Sequence, residues 1–510
     1  MWERLREFVV SERVLLLAPL LLLTTLLAWA LASPVGSSPD EDYHLVSTWC
    51  ATGDEAACVP DGAGEATVPG ALVDAACYAF DSAESAACQH ALDFTGAPDT
   101  VTERGNFHGA YPPVFHGVLS VFVGHDIQAS VVLMRVFISL VFTALATALF
   151  VLLPRVRRPT LVWSWALTTV PLGLFVVSSI NPSAWAVAGV GFGWIALAGF
   201  LETRGARKAA LGAIFALTVV MASGSRGDAS LYMILAIVAV LILQAHRSRR
   251  FAFDAILPAA GIALCLLMFR VSRPAEAITQ GVDDTGFAFG RIIPTMIDVP
   301  RIWMGAFGKS WGLGWLDTSM PSIVWLATLT CFLGAGVVAG FRTDFRKGLV
   351  LGGGFLVLLL FPTFVLVAAG QDVGENLQPR YLLPLIVLFA GVLFWQPPGR
   401  VIRFGRVQRV FVIVALSIAQ SIALFLQLAR YVVGYDDLTP VLDAAIEWWW
   451  PAGPSPMTVW VLGSLAYTAL LVLVLGRRLD REPEAVEAVE AEAEASVEAE
   501  AHPQSEVSAR

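Results

Sequence analysis

The chain reads as an all-α integral membrane protein with about twelve transmembrane helices, and three observations predict it. Of its 510 residues, 56% are hydrophobic and only 15% charged, with a mean hydropathy of +0.69. Soluble folds carry nearer one quarter charged residues. Apolar runs recur along almost the whole length, each near the ~20 residues a helix needs to cross a bilayer. Lys and Arg cluster at every second gap between these runs, in seven groups from Arg4, Arg6 and Arg13 to Arg477, Arg478 and Arg481. The positive-inside rule places all seven in the cytoplasm, so each adjacent pair encloses two crossings and both termini are cytoplasmic.

A short cytoplasmic N-terminus, 1–13, precedes a first span at 14–32. Ala30-Leu31-Ala32 resembles a signal-peptide cleavage site, but the apolar run is longer than a usual signal core, which favours an uncleaved anchor. Residues 33–111 form a polar outside loop holding Cys50, Cys58, Cys77 and Cys88, four of the six cysteines. On the outer face they predict two disulfides, with three pairings open. A structural zinc site is disfavoured because the Cys-x2-Cys spacing is absent. Cys265 and Cys331 lie within apolar spans as packing residues.

The stretch 111–122 is too short to cross and reads as an interfacial helix on the outer leaflet. Spans are expected at 127–153, 160–178, 183–201, 209–223, 229–245 and 252–270, the fourth of these short enough to be tilted little or broken. A second large outside loop covers 271–320, with Trp303, Trp311 and Trp315 among glycines. Further spans follow at 321–341, 348–369, 380–396, 409–429 and 456–476, and Trp448-Trp449-Trp450 suits anchoring at a membrane interface. The formal charge of −9 comes mainly from 481–510, whose nine Glu and two Arg contribute −7. The acidic tail, 477–510, is expected to be cytoplasmic and disordered.

Just outside the first span, Asp40-Glu41-Asp42-Tyr43-His44 gathers three carboxylates and an imidazole. Crowded carboxylates push one pKa upward, which suits a general base or a cation site; a solvated acidic turn is the plainer alternative. His44 beside Asp40 and Asp42 leaves a divalent cation, magnesium or manganese, open. Arg135 lies within a span, where an unpaired charge is costly, so a carboxylate or phosphate partner is expected. Arg226 and Asp228 pair with each other or serve a ligand, and Asn181-Pro182 ends one helix and starts the next. His116 and His125 flank the interfacial stretch.

An acidic pair opening a large first outside loop resembles the membrane glycosyltransferases of the GT-C fold. The resemblance extends to Tyr111-Pro112-Pro113-Val114-Phe115-His116, similar to their "hydrophobic-Pro-Pro-Leu-Tyr" segment, and to Arg380-Tyr381-Leu382-Leu383-Pro384, similar to their late "Arg-Tyr-Leu-Leu-Pro" segment. More narrowly, Asp40-Glu41-x-x-His44, Asn181-Pro182 and Ser225-Arg226-Gly227-Asp228 resemble a family of uncharacterised bacterial predicted membrane proteins. The likeness covers a GT-C-like domain at roughly 14–476 and implies a polyprenyl-phosphate sugar donor and an extracytoplasmic envelope acceptor, whether glycan, lipid or protein. It implies Asp40 or Glu41 as the base. Arg380 with Tyr381, Arg226, Asp228, Asn181 and His116 would serve the lipid phosphate and substrate, a planar guanidinium suiting phosphate. The competing reading of Arg380 is an interfacial snorkelling arginine.

No glycine-rich phosphate loop occurs at a cytoplasmic strand–helix junction, which argues against ATP-driven transport. Basic patches at the membrane face point to lipid contact and not to nucleic acid. Two rivals stand beside the transferase: a secondary transporter or lipid flippase, which calls for mid-membrane carboxylates and repeats, and a non-catalytic scaffold, which would tolerate loss of Asp40 and Glu41. The cysteine-rich first loop departs from the better-known GT-C members. It would either contact the acceptor or shield the site.

Overall fold

A computed structural model of the chain describes residues 12–62, 64–272, 288–340, 343–397 and 402–476. The acidic tail and residues 273–287 of the second large loop lie outside these residues. The first apolar run forms a 3-10 turn at Glu12–Leu17 leading into α1 (Ala18–Leu31), and the chain then enters α2 (Glu41–Cys50). A three-stranded antiparallel sheet follows, β1 (Val59–Pro60), β2 (Ala66–Val68) and β3 (Thr100–Thr102), with Ala66 opposite Thr102. The disulfides join sequence neighbours, Cys50 to Cys58 and Cys77 to Cys88.

The 111–122 stretch contains only the short α3 (Val114–Leu119) and a 3-10 turn. Phe115, His116 and Leu119 are buried and α3 packs on α2, so this stretch is built into the protein. Next come α4 (Ile127–Leu152), α5 (Arg158–Thr168), α6 (Leu172–Val177) and α7 (Pro182–Glu202). The span expected at 160–178 is thus interrupted, with a cis Val170–Pro171 bond between its halves. Proline lacks the donor that a continuous helix needs there.

The chain continues as α8 (Gly205–Ser223), α9 (Gly227–Gln244), α10 (Arg249–Val271), α11 (Ser322–Gly340), α12 (Phe345–Ala368), α13 (Pro379–Leu393), α14 (Arg406–Val432) and α15 (Pro456–Leu475). Helix α8 is 19 residues and unbroken, longer than expected because it starts in the basic segment. Among the described residues nine helices are long and apolar enough to cross a membrane, with shorter apolar helices at Leu15–Leu31 and Pro379–Leu393.

Helix α7 is the hub, buried along nearly its whole length and contacting α8, α9, α13 and α4. Its small residues explain the close approach. A Cβ on Gly189 would meet the Thr218 carbonyl at 2.8 Å, and one on Gly191 would meet the Trp165 ring at 2.5 Å. With lipid as apolar as a side chain, such small-residue contacts let helix backbones pack closely. Helix α1 packs against α15 and α4, and α15 against α14. Trp448 and Trp450 are buried instead of lying free at an interface, because the Trp450 Nε1 donates to the Leu31 carbonyl at the end of α1 (2.9 Å).

Candidate functional site

Residues 32–39, between α1 and α2, are buried although they form neither helix nor strand. Buried loop backbone is tolerable only when its polar groups are satisfied. Here every carbonyl from Ser33 to Pro39 has a donor. Arg135 on α4 serves Ser33 and Pro34, Tyr78 and Gln89 serve Val35, Trp315 serves Gly36, and Tyr431 serves Ser37. The Glu41 amide serves Ser38, and Asn181 and Arg380 both serve Pro39, at 3.0 and 2.7 Å. Donors from distant parts of the chain therefore converge on one turn, and it ends at Asp40.

Asp40 adopts a left-handed backbone conformation, φ 63°, rare for a residue with a Cβ. Its carboxylate accepts from Arg380 at 2.5 Å and from Arg104 at 3.2 Å, and a third of the side chain is exposed. Burial works to raise its pKa, but the guanidiniums of Arg380 and Arg104 prevail and hold it below the ordinary carboxylate value. Tyr43 beside it is pushed up to about 12, chiefly by burial.

Glu41 takes a different part from Asp40. It is fully buried, pairs with Arg135 at 2.8 Å, and also accepts from the Ser38 amide. The partner expected for Arg135 is thus a carboxylate. With Glu41 enclosed, only Asp40 of the two candidate bases faces open space.

Asp42 and His44 do not form the expected cation site. Two residues apart on α2, they point apart: Asp42 pairs with Arg104, while His44 stacks on His116, Nδ1 to Nε2 3.3 Å. Among the described residues no group of three His, Cys, Asp or Glu is placed to hold a metal ion. His116, expected at the substrate, is 2% exposed and lies behind His44. Burial lowers both imidazoles, His116 to about 3.

Arg380 also departs from expectation. It neither snorkels nor opens to a ligand, being 4% exposed with its donors on Pro39, Asp40 and the Tyr381 hydroxyl. Asn181 caps α7 and holds the Pro39 carbonyl. Arg226 pairs with Asp228 through two 2.9 Å bonds and lies over the Tyr381 ring, 4.2 Å from its centroid.

Two cavities meet at Asp40. One of about 340 Å³ is lined by Asp40, Arg104, Tyr111, Arg226, Asp228 and Tyr381, with Phe361 and Val365 of α12. The other, about 520 Å³, is lined by Asp40, Asp42, Arg104, Phe80, Trp315 and Glu375 among others. Asp40, Arg104, Asn376 and Gln378 line both. An apolar groove of about 410 Å³ between α9 and α12 shares Phe361 with the first cavity. Arg104 escaped the sequence reading, yet a signal was there: it is the only Lys or Arg in 33–111.

A family model described as "Predicted membrane protein (DUF2142)" matches residues 23–389, most of the chain. No curated protein and no solved structure matches it.

Proposed function

The chain belongs to the DUF2142 family of predicted membrane proteins, and we propose that it is a glycosyltransferase moving a sugar from a polyprenyl-phosphate donor to an acceptor hydroxyl. The observation that carries this reading is the placement of the Asp40 carboxylate on the lining of two cavities, one of which shares Phe361 with an apolar groove.

On this reading the molecule is GT-C-like and makes twelve crossings of a bacterial plasma membrane. These are the nine long helices, the two short ones and the interrupted α5–α6 pair. Both termini are cytoplasmic and Asp40 is extracytoplasmic. The polyprenyl chain lies between α9 and α12, a flexible apolar chain against Leu231, Leu235, Leu356 and Leu360. The sugar phosphate occupies the 340 Å³ cavity, where Arg226 and Arg104 supply charge. Guanidinium forks match phosphate oxygens.

The acceptor hydroxyl approaches from the other cavity and gives its proton to Asp40. Its oxygen bonds to the anomeric carbon as the bond to the phosphate oxygen breaks. The electron pair leaves on polyprenyl phosphate and the configuration inverts. Asp40 paired with two guanidiniums is a weak base. A bound phosphate competes for Arg104, the more exposed of the two, and so frees basicity where the proton must go. Glu41, Arg135, Asn181 and Arg380 act as positioning residues for the Asp40 turn.

The test is transfer in membranes containing the full chain, with radiolabelled sugars on polyprenyl phosphate. Transfer that free polyprenyl phosphate inhibits supports the proposal. A failure of every donor to label any acceptor overturns it.

A further inference from the structure

The second cavity has features that the transfer reaction alone does not explain. Four non-glycine residues among those described have positive φ: Asp40, Phe80, Trp311 and Leu316. Three of them, Asp40, Phe80 and Leu316, line this one cavity. Left-handed backbone at such residues is strained and persists where the surroundings over-determine it. Phe80 is not held by burial, since the residue is 71% exposed. Its ring meets Trp315 edge-on, 5.2 Å between centroids, and the Trp315 indole is anchored on the Gly36 carbonyl. The segment bearing Phe80 is held by the Cys77–Cys88 disulfide and by Arg430, which donates to the Tyr78 carbonyl. An exposed aromatic ring on so firmly braced a segment is costly to leave in water.

The same cavity is also lined by polar residues, Asp42, Glu375, Asn376 and Gln378. Aromatic rings and hydrogen-bonding groups in one cavity match a sugar ring, whose C–H face is apolar and whose edge carries hydroxyls.

We propose that the second cavity binds a glycan acceptor, with Phe80 as the platform under the sugar ring whose neighbouring hydroxyl reaches Asp40. This rests on the transferase reading for its chemistry but not for its binding. The cysteine-rich segment is then the acceptor-binding wall and not a shield.

The test separates the two. Purified full chain in nanodiscs is titrated with size-fractionated neutral oligosaccharides released from bacterial envelopes, and in parallel with a tryptic peptide mixture from the same envelopes. Binding is read by saturation-transfer NMR. The proposal expects oligosaccharide signals and none from peptides. It expects roughly tenfold weaker binding for Phe80→Gly, which keeps the backbone relaxed, with Phe80→Tyr within about threefold of wild type, as for loss or retention of one aromatic contact. Absence of oligosaccharide binding, or equal binding by Phe80→Gly, overturns it. Oligosaccharide binding without any donor-dependent transfer would support this site while sinking the transferase; donor-dependent transfer without oligosaccharide binding would do the reverse.

Discussion

Arg380 holds Asp40 twice, donating to its carboxylate at 2.5 Å and to the carbonyl of the preceding Pro39 at 2.7 Å. One rigid guanidinium therefore sets both the side chain and the backbone of a residue 340 positions away. A lysine ammonium carries the charge but not the planar fork. Arg380→Lys is expected to lower the transfer rate by roughly 10²-fold, the cost of about an ångström of misplacement at the reacting atoms, with the donor KM little changed. Steady-state kinetics of the variant check this, and a wild-type rate would refute the double hold.

The Glu41–Arg135 pair has both partners essentially enclosed. Removing one partner of a buried pair costs about 3–5 kcal/mol, because the other charge is left unpaired. Glu41→Gln is therefore expected to lower the melting temperature and the amount of folded protein in detergent, and any loss of transfer should follow that loss of protein. A stable Glu41→Gln protein without activity would instead give Glu41 a chemical role.

The His44–His116 contact gives a pH dependence whose sign is fixed by burial. Both imidazoles are lowered from 6.5, His44 chiefly by burial and then by His116, Arg380, Arg226 and Arg104, and His116 by burial alone. The unfolded chain therefore binds protons that the folded chain refuses. Stability is full above pH 6.5 and falls as pH drops from there toward 3, by about 1.4 kcal/mol per pH unit for each histidine. Melting temperatures between pH 7.5 and 5 check this, and His116→Gln should flatten the slope. An unchanged slope in that variant would contradict it.

The disulfides close short loops, so each is expected to contribute about 2.5–3 kcal/mol by restricting the unfolded chain. Replacing both Cys77 and Cys88 by Ser should weaken acceptor use more than replacing Cys50 and Cys58, because only the former pair braces the Phe80 segment. Acceptor KM values for the two double variants decide this, and equal effects would argue against that bracing.

Most of the helices were legible because length, hydropathy and the spacing of Arg clusters act on long segments. The interruption at Val170–Pro171 was not, since Leu172–Val177 continues the same apolar run. At the site, the motif residues Asp40, Asn181, Arg226 and Arg380 lie near one another, Asn181 on the Pro39 carbonyl, Arg380 on Asp40 and Arg226 over the Tyr381 ring. The roles of Asp40, Glu41, Asp42 and His44 were hidden, because they depend on which side of α2 each residue faces and on partners such as Arg135 and Arg104. The Asp42–His44 reading failed for that reason: two residues apart on a helix lie about 200° apart and cannot share a ligand easily. Cysteine pairing likewise had to wait for the sheet and the Arg430 contacts that set the loop's path.

The most direct measurement is the transfer rate of Asp40→Asn against wild type, from radiolabelled polyprenyl-phosphate sugars in membranes, at matched amounts of folded protein. Asparagine can still accept from Arg380, so the fold should persist while the base is lost. The account predicts a fall of roughly 10²–10⁴-fold, the usual worth of a positioned general base. A folded Asp40→Asn protein transferring sugar at the wild-type rate would contradict it.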